Sequence, residues 1–176
     1  GNMFGTQTYD LKPAAITMAK ALSSAYMPIS AVMVNDEIFE AMADQSNEVG
    51  LFAHGFTYSG HPVPSAVALR TLELYEERNL MGHVRNVAPI FQKRLHAFSD
   101  HPLVGEVRGV GLIGAIEIVA EKETKRSFDT AHAVSQYLLQ RANEYGVMTR
   151  AMPHALGFCP PIIIKEDEIN ELFDRM

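Results

Sequence analysis

The stretch from Ala14 to Val34, AAITMAKALSSAYMPISAVMV, decides how the rest of the chain is read. It carries a single charge, Lys20, among small and apolar residues. An ammonium in such surroundings loses hydration, which favours the neutral amine. Only the neutral amine attacks a carbonyl, so a lysine poised in this way suits imine chemistry. The residues alone leave a second reading open, a lysine at the mouth of a strand with its head in water. Pro28, the serines and Lys20 itself argue against a membrane-spanning helix, although the run is long.

Outward from this stretch, strands and helices alternate, which predicts an α/β or α+β architecture. Ile16 to Ala21 and Ile29 to Val34 read as short buried strands on either side of a Ser-Ser turn. Asp36 opens a helix to about Ala43, with Asp36 and Glu37 at the positive end of its dipole. Phe52 to Pro62 is rich in Gly, Ser, Thr and aromatics and reads as a loop. Pro64 and Ser65 open a helix to about Asn79, with Ala68, Leu72 and Tyr75 along one face. Gly82 marks the predicted boundary between lobes, residues 1–82 and 83–176. Beyond it, Val84, Val87, Phe91, Leu95 and Phe98 recur at helical spacing. Two strands follow, Val104 to Arg108 and Leu112 to Val119. A helix from about Thr130 to Tyr145 ends at Gly146. A strand from Val147 to Arg150, a loop from Ala151 to Gly157 and a terminal helix from Glu166 complete the expected order.

Composition narrows the function. With 176 residues, 47% of them hydrophobic, the chain is long enough for one ordinary domain or two small lobes. A formal net charge of −6 argues against a nucleic-acid partner. The one cysteine, Cys159, excludes an intrachain disulfide and fits a reducing compartment, so the expected location is cytoplasmic. No signal peptide is evident, and both ends read as cut from a longer protein.

Four features carry candidate chemistry. Gly109-Val-Gly111-Leu-Ile-Gly114 matches the dinucleotide fingerprint by letter, but the residues after it read as a strand, so a tight turn is expected instead. Seven histidines show no metal-ligand spacing, and no metal is expected. The loop His54-Gly-Phe-Thr-Tyr-Ser-Gly-His-Pro62 offers hydroxyls and backbone N–H groups that can cradle a phosphate, or else it is a turn held by its own aromatics. Arg150 has no nearby acid in sequence. It is either a partner for a carboxylate or phosphate or an exposed strand-end residue.

Together these segments resemble one family. AITMAKALSSAYMPISAVMV is similar to the segment around the Schiff-base lysine of class III, fold type I, pyridoxal-phosphate-dependent aminotransferases. HGFTYSGHP and the helix PSAVALRTLELYEE resemble the family's next signatures, and VRGVGLIGAIEI is similar to a turn of its small domain. Arg150, ahead of Cys159-Pro-Pro161, resembles the arginine of the amine or ω-amino acid:pyruvate transaminases. The resemblance covers essentially the whole chain. It implies the end of the large cofactor-binding domain (residues 1–82) followed by the small α+β C-terminal domain (83–176).

By that resemblance the cofactor is pyridoxal 5′-phosphate, held by Lys20 as a Schiff base, and Lys20 is also the proton shuttle. Phe56 and Thr57 match positions that contact the cofactor phosphate from the neighbouring subunit, which implies a homodimer with shared active sites. Arg150 matches the residue that grips the carboxylate of the amino acceptor. The implied partners are a small-molecule amine and a keto acid. An aminomutase, racemase or decarboxylase on the same fold, or a catalytically inactive truncated domain, stays open as an alternative. Ala14 after Pro13 departs from the family, which usually has an acid there. The aspartate for the pyridine nitrogen, the Gly/Ser phosphate loop and the ring-stacking aromatic are expected ahead of Gly1, so the chain alone is expected to be inactive or poorly folded.

Overall fold

The computed structural model describes residues 1–176 and divides them into two units, Asn2–Asn79 and Leu80–Met176, with Gly1 grouped with the second. The division falls between Asn79 and Leu80, a few residues before Gly82.

In the first unit a short helix α1 (Gly5–Thr8) precedes the antiparallel pair β1 (Ala15–Met18) and β2 (Ala31–Val34), in which Ala15 faces Val34 and Met18 faces Ala31. Both strands are shorter than their apolar runs suggest. Neither is buried, contrary to expectation, and Val32 and Met33 are more than half exposed. Apolar composition announces a surface to be covered, but this unit has no layer packed over these strands.

Helix α2 runs Asp36–Val49, beyond the expected end near Ala43. Asn35 caps it, its side-chain oxygen accepting from the Ile38 N–H at 3.1 Å. The helix stops where Gly50 takes the left-handed conformation (φ 77). The polar residues Asp44 to Glu48 do not end it, because they simply ride on an exposed face. Helix α3 spans Pro62–Glu77. The only buried residues in this unit are Ser23, Ala68 and Thr71, so it builds almost no core of its own.

The second unit has a core. Helix α4 (Leu80–His96) lays Val84, Val87, Phe91 and Leu95 along one stripe. A four-stranded antiparallel sheet follows in the order β3-β4-β6-β5, from β3 (Val104–Val110), β4 (Ile113–Ile118), β5 (Arg150–Met152) and β6 (Ala155–Phe158). Helices α5 (Ala131–Glu144) and α6 (Glu166–Asp174) complete it. Ile116, Leu156 and Phe158 from the sheet join Phe91 and Leu95 from α4 and Ile169 and Phe173 from α6 in one cluster, and Val134 and Leu138 of α5 pack on it. Phe91, Leu95 and Ile169 are wholly buried, worth roughly 1.5–3 kcal/mol each in transfer free energy. The Phe173 ring meets those of Phe91, Phe98 and Phe158 at 5.3, 6.1 and 5.7 Å. At the start of α6, the Glu168 carboxylate accepts from the Lys165 N–H at 2.8 Å.

The glycine fingerprint is a hairpin. Val110 pairs with Ile113 across the two-residue turn Gly111-Leu112. Gly111 sits at φ 59 and Leu112 keeps a negative φ, the pattern that requires glycine at the first turn position. Gly114 has a different cause. A Cβ there would lie 2.2 Å from Leu95 Cδ2, so only glycine lets α4 pack so close to β4. The largest departure from the sequence reading lies between Ala151 and Gly157. It was expected to be a loop and is instead the hairpin β5–β6, with Met152 opposite Ala155. Each arm is three or four residues long, too short for its periodicity to register.

Candidate active site

Lys20 lies two residues beyond Met18, the last residue of β1, and opens a 3₁₀ turn, Lys20–Leu22. Its backbone is left-handed (φ 51), as are Ser24 (φ 48) and Ala25 (φ 62). Such positions are costly for residues with a Cβ and cluster at functional sites. The Lys20 side chain is exposed, so the desolvation expected from its apolar neighbours in sequence is not supplied by this chain. The physical reason is local. The turn swings the chain out of the strand, and the small residues beside Lys20 are themselves exposed. Its ammonium forms no ion pair in the unit.

The segment holding Lys20 is built mainly from its own bonds. The Ser23 and Ala25 N–H groups donate to the Lys20 carbonyl at 3.2 and 3.3 Å, and the Ser24 N–H donates to Ala21 O at 3.2 Å. Ser23, 1% exposed, donates its hydroxyl to Met27 O at 2.6 Å. From α3, the Tyr75 hydroxyl donates to Ala21 O at 2.8 Å and lies 3.1 Å from Ser24 Oγ. Sequence reading placed Tyr75 on the apolar face of its helix and missed this link. The signal available was the hydroxyl itself, which needs a partner when the ring packs against protein.

Phe56 and Thr57 lie in the exposed segment 51–61, as expected. Phe52, His54 and Phe56 form an edge-to-face ladder with ring centroids 5.8 and 5.9 Å apart. The Ser59 N–H donates to Phe56 O at 2.8 Å, and the Phe56 N–H donates to Ser59 Oγ at 3.1 Å. This reciprocal pair closes the turn and occupies the Phe56 N–H, while the Thr57 N–H and hydroxyl are left without an internal partner. The first turn of α3 offers no substitute for an anion. Pro62 and Pro64 have no N–H, the Val63 N–H goes to His61 Nδ1 at 3.2 Å, and the Ser65 N–H goes to His61 O at 3.3 Å. Thr57 is therefore the residue here with spare donors for a phosphate.

Arg150 lies in the second unit and begins β5 rather than ending a strand. It pairs with Gly157, which pairs with Ala115, which pairs with Arg108. Directly paired residues share a sheet face. Two guanidiniums thus stand in one row across four strands, with only Ala115 and Gly157 between them. Their neighbours Ala151, Leu156 and Ile116 belong to the core, so this row is on the face away from it. Arg108 is paired with Glu117 at 2.7 Å, whereas Arg150 is exposed and forms no ion pair in its unit. The Thr149 hydroxyl donates to Gly157 O at 2.6 Å and ties down the strand entry beside it.

The arrangement therefore presents a free primary amine on a constrained turn, a turn with spare donors for an anion, and an unpaired guanidinium on a sheet. Comparison with known proteins identifies the family. The family model for aminotransferase class-III matches residues 1–176. Among similar curated proteins, gamma aminobutyrate transaminase 3, chloroplastic, of Solanum lycopersicum is 45% identical over 172 residues, covering 98% of this chain and 33% of that protein. Among solved structures, the omega transaminase from Pseudomonas jessenii in complex with PMP superposes with TM-score 0.95 at 44% identity, covering 99% of this chain and 38% of that one. A transaminase with L-alanine gives TM-score 0.96 at 44% identity, covering 99% and 41%. The chain thus spans about a third of the length of the curated relatives it matches.

Proposed function

The chain belongs to the class-III aminotransferases, and from that premise we propose that the protein carrying it moves an amino group from an amine or ω-amino acid to a keto acid, pyruvate in particular. The observation that carries this reading is Lys20, an unpaired amine on a left-handed turn between β1 and β2. The transaminase found with L-alanine supports pyruvate as acceptor, because alanine is the amino acid that pyruvate becomes. The order of lysine turn, glycine-bearing loop and arginine hairpin supports placing residues 1–82 at the end of the large domain and 83–176 in the small C-terminal domain.

The family's cofactor is pyridoxal phosphate, and the residues present fit it, an unpaired amine at Lys20 and spare N–H and hydroxyl donors at Thr57. When bound it supplies the electron sink for the reaction. Lys20 holds it through Nζ and afterwards moves the proton at the substrate's amine-bearing carbon. Thr57 binds the phosphate through its spare N–H and hydroxyl, across a homodimer interface, whereas the Phe56 N–H, expected to share this role, is held by Ser59 Oγ. Arg150 binds the acceptor's carboxylate through two parallel N–H donors on one edge of its guanidinium.

The cytoplasm is the proposed location, resting on the single cysteine. No helix is long and apolar enough to cross a membrane. The deciding experiment loads the protein with pyridoxal phosphate, reduces it with borohydride and maps the adduct by mass spectrometry, alongside product analysis with an amine and pyruvate. A dominant adduct at Lys20 with alanine as product is expected. Scattered labelling, or a rearranged or decarboxylated product, would refute the transaminase assignment.

A further inference from the structure

We infer that Tyr75 is a positioning residue for Lys20, acting through Ala21 and Ser24 to hold the lysine turn in its strained backbone. This rests on the proposed role of Lys20. Three residues with side chains, Lys20, Ser24 and Ala25, lie in the left-handed region within six positions. Each is disfavoured relative to ordinary backbone, so the segment keeps this shape only where its surroundings over-determine it. The bonds internal to residues 19–27 are long, 3.1 to 3.3 Å, apart from the Ser23 hydroxyl bond to Met27 O. Tyr75 is the one hydrogen-bonding group from outside that segment to reach it.

The hydrogen count settles the direction of the two contacts. A phenol has one proton, and it goes to Ala21 O at 2.8 Å. The 3.1 Å contact is then Ser24 Oγ–H donating to Tyr75 Oη. The phenol thereby grips the turn at the residue after Lys20 and again at the left-handed Ser24. The Tyr75 ring is half-buried, and with Leu72 it lines a cleft of about 250 Å³ that also takes in Ala19, Ala21 and Leu22. Lys20 is therefore flanked on both sides by residues that face the same helix surface. A lysine that must bond covalently at one atom and later deliver a proton depends on such fixed geometry more than a merely solvated lysine would.

The test compares Tyr75→Phe, Ser24→Ala and the double variant in the holoenzyme, with amide hydrogen exchange followed in the cofactor-free protein. Tyr75→Phe keeps the ring in the cleft and removes both contacts. Exchange at residues 22–26 is expected to quicken about five- to tenfold, the loss of one or two ordinary hydrogen bonds. Exchange elsewhere should hold. In the holoenzyme the pH midpoint of the bound cofactor's visible absorbance should move, and kcat should fall with KM for the amine unchanged. Ser24→Ala should give a smaller change in the same direction, and the double variant should be no worse than Tyr75→Phe, because Ser24 acts through the phenol. Unchanged exchange and an unchanged midpoint in Tyr75→Phe would overturn the inference, as would fully additive effects. If Lys20→Ala instead kept normal turnover, the role of Lys20 would fall while the exchange result still reported on the clamp.

Discussion

Replacing Arg150 by alanine gives the sharpest separation between binding chemistry and folding. Arg150 opens β5 opposite Gly157, on the sheet face away from the core, and forms no ion pair in its unit. Its truncation strands no buried partner and opens no cavity, so the stability of Leu80–Met176 should change by no more than about 0.5 kcal/mol. The backbone bonds of the hairpin survive, because they do not involve the side chain. Substrate is affected differently. A guanidinium gripping a carboxylate makes a charge-assisted contact worth about 2 kcal/mol, and at about 1.4 kcal/mol per decade that is a loss of about 30-fold in kcat/KM for the keto acid. An uncharged amine makes no such contact and should lose little. The assay is steady-state kinetics in both substrates with a thermal melt on the same samples. Equal losses for keto acid and amine would refute the carboxylate role. A large drop in melting temperature would show instead that Arg150 is structural.

Lys20→Ala should abolish turnover and borohydride-stable labelling while leaving the far-ultraviolet circular dichroism close to the parent protein, since the side chain is exposed and unpaired. Phe173→Ala should destabilise the second unit by about 3–5 kcal/mol, because it empties the centre of a cluster of three other rings; chemical denaturation followed by exchange at α4 and α6 reads it. Gly114→Ala should cost about 1–3 kcal/mol by overpacking against Leu95, and Leu95→Ala in the same chain should make it tolerable. The Arg70 guanidinium, hydrogen-bonded to Glu77 at 2.7 and 3.0 Å, holds the Glu77 carboxyl below its ordinary value. A depressed folded value means the pair's contribution is complete above the ordinary glutamate range and is lost as pH falls through the folded value. Glu77→Gln should therefore flatten part of the acid limb of a pH–stability curve, by a small and salt-sensitive amount because both groups are exposed.

Much of the second unit was legible in the order of residues. The stripe Val84, Val87, Phe91, Leu95 dictates an amphipathic α4 because its spacing follows the helical period. Gly109 to Gly114 reads as a hairpin because aliphatic residues flank the glycines, and the backbone obeys through Gly111. Lys20, the 54–62 loop and Arg150 were singled out as candidate chemistry by residue type and local setting. These are local properties, carried by neighbours a few positions away, and the chain states them directly.

Tertiary structure decided what depends on partners far along the chain. The hydrogen bond from Tyr75 to Ala21 spans 54 positions, and nothing in either segment names the other. The row Arg108, Ala115, Gly157, Arg150 exists only through strand register, and two of its strands are too short for periodicity to reveal. Burial of β1 and β2 failed as an expectation for the complementary reason. Apolar side chains record that a surface is to be covered, whereas only three-dimensional packing fixes what covers it, and within Asn2–Asn79 little does.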